Sequence, residues 1–203
     1  MPEAAVRPAH RGDAAAVAAL IYESANGMYD RLAGGRARAG RVIERAFLEP
    51  GNNASAEVVT VAEIGGKLAA AASSFPAEES PARARGFQRL TLRSIPPWRW
   101  PASSWLYWVG SRAALPPPHE CLYLDALASR PDLRRRGAAR ALLADAEERA
   151  RGLGLRQIAL DTLLDNHPAR ALYVSEGFEE VAFKTAGHGL PGSVALVKEL
   201  EPR

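Results

Sequence analysis

The chain is poor in cysteine, in lysine and in long apolar runs, and each shortage excludes something. Its single cysteine, Cys121, lies in an apolar run, so there is no disulfide framework and no metal-ligand spacing, and the residue reads as a small buried hydrophobe. No stretch approaches the length of a membrane-spanning helix, and Met1-Pro2-Glu3 lacks the charged-then-apolar start of a secretory signal. The expectation is a soluble, cytoplasmic protein in a reducing compartment, with no membrane partner and no metal. Nearly all of the 26 cationic side chains are arginine, the net charge is +3 and the isoelectric point is near 9.3. Arginine and alanine abound throughout, a bias that fits genome composition better than function. A nucleic-acid binder would carry a denser basic face interleaved with aromatics. The one dense basic cluster here is residues 130–140, so no nucleic-acid partner is expected.

What is present is material for one core. With 203 residues, 47% hydrophobic and 24% charged, the chain suits a single domain over residues 1–203 and is short for two. Its organising stretch begins with an apolar run, Cys121 to Ser129, that reads as a strand and stops at Arg130-Pro131-Asp132. The turn Leu133-Arg134-Arg135-Arg136-Gly137-Ala138-Ala139-Arg140 follows, and then Ala139, Leu142, Leu143, Ala146 and Ala150 recur at helical spacing. A strand, a glycine-containing turn and a helix whose first amides lack internal partners form a place to hold an anion, phosphate above all. Arginines add forked donors, and Gly137, Ala138 and Ala139 keep side chains out of the approach to the backbone.

Upstream, Ala5 to Pro8 reads as a first strand. Gly12-Asp13 opens a helix with Ala16, Val17, Leu20, Ile21 and Ser24 on one face, and a second helix spans Arg38 to Phe47 with Val42, Ile43, Ala46 and Phe47 inward. Strands at Glu57 to Glu63 and Lys67 to Ala72 flank Gly65-Gly66, a two-residue hairpin signal. From residue 76 to residue 118 no regular pattern holds, yet all four tryptophans of the chain fall there. So much apolar area argues against disorder. The segment reads either as a lid or wall of a pocket, or as a satellite core or homodimer contact. Downstream come a strand from Arg156 to Asp161, a helix opened by Pro168 and closed by Gly177, and an antiparallel pair, Glu179 to Lys184 with Val194 to Glu199. In the organising strand, strict alternation puts Leu122, Leu124 and Ala126 on one face and Tyr123, Asp125, Leu127 and Ser129 on the other.

Arg134-Arg135-Arg136-Gly137-Ala138-Ala139 matches the pyrophosphate loop Gln/Arg-x-x-Gly-x-Gly/Ala. Downstream, Asn166 is followed by a helix carrying Tyr173 and then by Gly177-Phe178. Both signatures in this order resemble the GNAT superfamily of acyl-CoA-dependent N-acyltransferases. The resemblance implies an α/β fold, a mixed, mostly antiparallel sheet of six or seven strands with helices on both faces, and acetyl transfer from acetyl-CoA to a primary amine of a small molecule by direct attack. It assigns the pyrophosphate to Arg134, Arg135, Arg136, Gly137, Ala138, Ala139 and Arg140. The backbones of Leu127, Ala128 and Ser129 would pair with the pantetheine arm like an added strand, with Ser129 where relatives usually have Val. Asn166 would bind the same arm, and Tyr173 would both contact the cofactor and protonate the leaving thiolate. The region of the first two helices would form the acceptor side, Met28 and Tyr29 included.

A neutral amine is needed for attack. With a reference pKa of about 10.4, only about one alkyl amine in a thousand is uncharged at neutral pH, so a base is useful. Asp125 and Tyr123 stand where related arylalkylamine acetyltransferases place paired histidines and other members place Glu. Asp125 would accept the proton through water or hold the cation by charge, unless it only bonds backbone at the strand end. Glu120, His167 and His188 are weaker candidates. Two other readings remain open: an acyl-CoA sensor without turnover, and nucleic-acid binding through the basic turn.

Overall fold

The computed structural model describes residues 4–25, 27–113, 115–185, 187 and 191–201. In chain order the elements are β1 (Ala5–Pro8), α1 (Ala14–Ser24), α2 (Met28–Ala33), α3 (Arg36–Leu48), β2 (Val59–Ile64), β3 (Lys67–Pro76), α4 (Ser80–Ser94), α5 (Trp100–Ala113), β4 (Cys121–Ser129), α6 (Ala138–Gly152), β5 (Gln157–Leu163), α7 (His167–Ser175), β6 (Glu179–Lys184) and β7 (Ser193–Glu199). The strands form one sheet in the order β1-β2-β3-β4-β5-β7-β6. Only β4 and β5 are parallel; the other neighbours are antiparallel. A mixed, mostly antiparallel seven-stranded sheet is therefore what the chain builds.

Its two faces carry separate cores. On one, α6 lays Leu142, Leu143, Ala146 and Ala150 against Leu122, Leu124, Ile158 and Leu160, with Tyr173 and Phe178 closing the edge. On the other, Val17 and Ile21 of α1, Val42, Ile43 and Phe47 of α3, and Phe87 and Leu90 of α4 cover Val59, Val61 and Ala71. Arg149 bolts α6 to the sheet: its guanidinium donates to Ser74 Oγ at 2.8 Å and to Thr60 Oγ1 at 3.2 Å. Cys121 is fully buried, 3.2 Å from the carbonyl of Pro118, and burial pushes its thiol up to about 11.

Several elements differ from the sequence reading. Residues 76–118 hold two helices, α4 and α5, where irregular chain is expected. Pro81 and Pro101 sit in their first turns, where a missing N–H costs nothing, so these prolines start helices and do not break them. Residues read as connecting chain after α1 include the short helix α2. Within α1, Ala14 and Ala18 take the inward places, and Ala16 and Ser24 face solvent. β2 starts at Val59 because Ser55 caps a 3-10 turn over Ala56–Val58, while β3 runs on to Pro76. The Gly65-Gly66 turn has φ of 58° and 73°, as a tight hairpin needs.

The alternation along β4 also fails, for a local reason. Across the β3–β4 ladder Ser73 faces Ala126 and Ser74 faces Leu124, so Asp125 is an extra, bulged residue. Past it the faces exchange. Leu127 joins Leu122 and Leu124 in the α6-side core, and Ala128 packs on the opposite side. The expected grouping of Leu127 with Tyr123 and Asp125 is corrected accordingly.

The loop after α3 is held from several sides. Asn52 donates to the carbonyls of Ala46 and Glu49 at 2.9 and 2.7 Å and accepts from Ala54 N at 2.9 Å. Gly86 of α4 lies so close that a Cβ there would meet the Gly51 carbonyl oxygen at 2.2 Å. Gly86→Ala should therefore destabilise the fold by about 1–3 kcal/mol. Gly40→Ala, in α3 with nothing within 4 Å of the added carbon, should stabilise it by about 0.5–1 kcal/mol. Urea unfolding of both variants checks the contrast.

Candidate active site

The site lies where β4 and β5 part. Their parallel ladder runs only from Cys121↔Gln157 to Leu124↔Leu160. Asp125 and Asp161 are the next residues on the two strands. Beyond that point Leu127, Ala128 and Ser129 still pair with β3 on one side. Among the described residues they have no strand partner on the other side, which leaves an open edge suited to an extended ligand arm. At the end of β4 the chain turns through Arg135 (φ 61°) and Gly137 (φ 88°) into α6. The first bond of that helix runs from Ala141 N to Gly137 O at 2.9 Å, so the amides of Ala138, Ala139 and Arg140 have no carbonyl to bond within the helix. Glycine at 137 is required by the left-handed backbone, and open space surrounds it.

Of the loop arginines, Arg135 and Arg136 are exposed. Arg134 reaches back to the carbonyl of Ser129 at 3.4 Å, and Arg140 pairs with Glu176 at 2.6 Å. The donor set, small side chains on backbone amides with cations around them, fits a diphosphate.

Asp125 is held by Asn53, whose Nδ2 donates to Oδ2 at 2.9 Å. Asn53 is itself fixed because its carbonyl accepts a hydrogen bond from Ser73 of β3, and because Asn52 anchors the loop as described above. The Asn53 amide oxygen is buried and has no protein partner. Burial, with Asp161 adding like charge, pushes the Asp125 carboxyl up to about 7; the Asn53 bond opposes this weakly. Asp161 opens to the cleft yet has protein mass all around, and this desolvation raises its carboxyl also. Neither carboxylate has an ion-pair partner among the described residues. Tyr123 donates its hydroxyl to Asp161, and burial with two carboxylates nearby keeps that phenol protonated. The ring of Tyr123 meets Phe75 edge-on at 6.0 Å.

Tyr173 is 6% exposed, its ring 5.8 Å from that of Phe178. Burial and the Asp161 charge hold its phenol well above the ordinary range. Asn166 caps α7: Oδ1 accepts from Ala169 N at 3.4 Å and Nδ2 donates to Thr162 at 3.2 Å. Tyr29 of α2 packs on Phe87 at 5.8 Å and feels the Asp125 charge, which puts α2 beside that carboxylate.

Sequence reasoning brought Asp125, Tyr123 and Tyr173 to one place and missed two members. Asp161 was legible as the one charge in an apolar strand, whereas Asn53 sits in a loop with no pattern to mark it. Glu120 stands at the opposite end of β4, its amide bonded to Glu78. His167 is an exposed first residue of α7, and His188 lies outside the described residues.

A family model described as "Acetyltransferase (GNAT) family" matches residues 40–178, which include the turn, both carboxylates and Tyr173. No curated protein matches the chain by sequence. Among solved structures, an N-acetyltransferase from Staphylococcus aureus Mu50 is similar at 18% identity and a TM-score of 0.74, over 95% of this chain and 99% of that one. The ribosomal-protein-S18-alanine N-acetyltransferase of Escherichia coli is similar at 15% and 0.58, over 99% and 96%. An agmatine N-acetyltransferase is similar at 18% and 0.59, over 97% and 99%. At such identities these structures speak for the fold, which is the same architecture over nearly the whole of each chain. The family match, spanning the phosphate-type turn and the strand gap beside it, makes this chain a member of the GNAT acetyltransferase family.

Proposed function

We propose that this single-domain enzyme moves the acetyl group of acetyl-CoA to a primary amine of a small molecule by direct attack, with Asp125 as the base. The observation that carries the proposal is a carboxylate with a value near 7 beside a buried, unpartnered amide oxygen, at the gap between β4 and β5. Acetyl-CoA supplies the thioester. The amides of Ala138, Ala139 and Arg140 and the side chains of Arg134, Arg135 and Arg136 bind its diphosphate, with Arg140 shared between phosphate and Glu176. The open backbone edge of Leu127, Ala128 and Ser129 receives the pantetheine arm, and Asn166 supports it from α7.

An ammonium entering from the α2 side finds two carboxylates without cations of their own. Asp125 takes its proton, and the Asn53 amide oxygen orients a remaining N–H. The freed nitrogen lone pair bonds to the thioester carbon as the C–S bond breaks; Tyr173, kept protonated by burial, gives its hydroxyl hydrogen to the departing sulfur, and the second proton shed by the acylated nitrogen returns to the phenolate, so that a neutral amide and a free thiol leave. Tyr123 acts through Asp161: its hydrogen bond fixes that carboxylate, so the pair positions the cation and leaves Asp125 to do the proton transfer. A carboxylate at about 7 is a matched base, half-ionised near neutrality yet strong enough to accept a proton. The acceptors named for the similar structures include a protein and agmatine. A half-buried carboxylate beside an exposed one, both without an ion-pair partner among the described residues, suits a compact cationic amine.

Thiol release from acetyl-CoA across a panel of amines tests the activity, and binding of CoA without release for any amine would favour a sensor. With a competent amine, kcat/KM should rise with pH through about 7 as Asp125 ionises. Asp125→Asn should lose that limb and about 10²–10⁴-fold in rate.

The same carboxyl costs stability. Its folded value exceeds the ordinary carboxylate value, so folding favours the protonated form and stability falls as pH rises toward 7. Asp125→Asn should thus be more stable than the parent above that pH, by about 2 kcal/mol after allowing for the partly open cleft, as read by urea unfolding.

Tyr173→Phe should lower kcat more than it weakens acetyl-CoA binding. Gly137→Glu, which puts a side chain and a negative charge on the left-handed turn, should abolish CoA binding in calorimetry.

A further inference from the structure

The helical hairpin α4–α5 has a surface that the reaction does not use. Residues 80–113 contain all four tryptophans of the chain, six arginines and no aspartate or glutamate. Trp98 is 80% exposed, Trp105 57%, Trp108 47% and Trp100 46%. The residues seen beside Asp125 are Asn53 and Tyr29, and the hairpin turns Phe87, Leu90 and Val109 inward while its tryptophans stay exposed. Trp105 and Trp108 stack at 4.9 Å, and the guanidinium of Arg112 lies 4.3 Å over Trp108. They form one wall of an open groove of about 810 Å³, with Arg85 and Gln88 of α4 on the other wall. Arg85, Arg89 and Arg93 follow one another at helical i, i+4 spacing, are exposed, and have no ion-pair partner among the described residues. Arg83, by contrast, is neutralised by Glu79 and Glu57.

We propose that this hairpin is a docking surface for an anionic phospholipid bilayer, on which the enzyme rests with its indoles in the headgroup layer. Exposed tryptophan beside unpaired arginine is the chemistry of helices that lie in a membrane interface: the ring buries its apolar body, and each cation is attracted to an anionic surface. A second copy of the chain is a poorer fit, because a twofold contact would bring like arginine stripes together. Nucleic acid is also poorer, because in the groove Trp105 and Trp108 already stack on each other and Arg112 already lies over Trp108. The lack of a spanning run led to the expectation of no membrane partner, but a surface-lying hairpin needs none, and no helix among the described residues is long and apolar enough to cross.

Flotation of the full chain with vesicles of phosphatidylcholine alone, and of an equal mixture with phosphatidylglycerol, tests this. Because every tryptophan lies in the hairpin, intrinsic emission reads the contact directly. Co-flotation with the anionic vesicles, a blue shift of that emission, and about tenfold weaker binding both to neutral vesicles and by Trp105→Ser/Trp108→Ser are expected. Arg85→Glu/Arg89→Glu should weaken anionic binding at least as much. Both variants should keep the parent's calorimetric affinity for CoA, which shows that they are folded and separates this result from the fate of the acetyl-transfer proposal. Absence of the chain from the anionic vesicles, or undiminished binding by the variants, would overturn the proposal. So would a dimer in light scattering that Trp105→Ser/Trp108→Ser dissolves, or capture by polyglutamate with no vesicle binding.

Discussion

The rest of the site depends on one interruption of hydrogen bonding, the end of the β4–β5 ladder at Leu124 and Leu160. Unpaired strand edges in a folded sheet are costly unless something bonds them, so a sheet that opens along its middle invites a ligand to complete it. The bulge at Asp125 belongs to the same device. It places an extra residue where pairing stops and reverses the facing of all that follows, so that Leu127 goes into the core while the carboxylate stays at the gap. The turn into α6 then puts unbonded amides at the far end of the open edge. Strand edge and helix start thus form one continuous run of main-chain groups.

The electrostatics follow from that geometry. Two carboxylates stand at the ends of neighbouring parallel strands, partly dry and without ion-pair partners among the described residues; desolvation raises both, and Asp161 adds like charge at Asp125. Tyr123 relieves one of them by donating to Asp161, and Asn53 relieves the other. The result is a pair of acids in different environments, which supports the proposed division of one residue type into an anchor and a base.

Much of this was legible in the residues. The turn at Arg134 to Arg140 was readable because an apolar strand gives way to helical spacing across a glycine, which the left-handed backbone at Gly137 requires, and β1, β4 and the hairpin at Gly65-Gly66 were readable by period and turn chemistry. What stayed hidden depended on contacts distant in sequence. Asn53 reaches Asp125 across 72 positions, and no local pattern encodes that. The bulge defeated strict alternation because nothing in Leu124-Asp125-Ala126 marks an extra residue; its partner strand does. The helices α4 and α5 were obscured by prolines that looked like breaks and are beginnings.

Cys121 lies sealed behind the sheet, its sulfur against a backbone carbonyl and its proton held tightly. A protein whose sole sulfhydryl cannot meet solvent is blind to disulfide-exchange dyes while folded. Every equivalent of colour in a mixture with acetyl-CoA then counts departed coenzyme, and a slow rise without acetyl donor would count molecules coming unfolded.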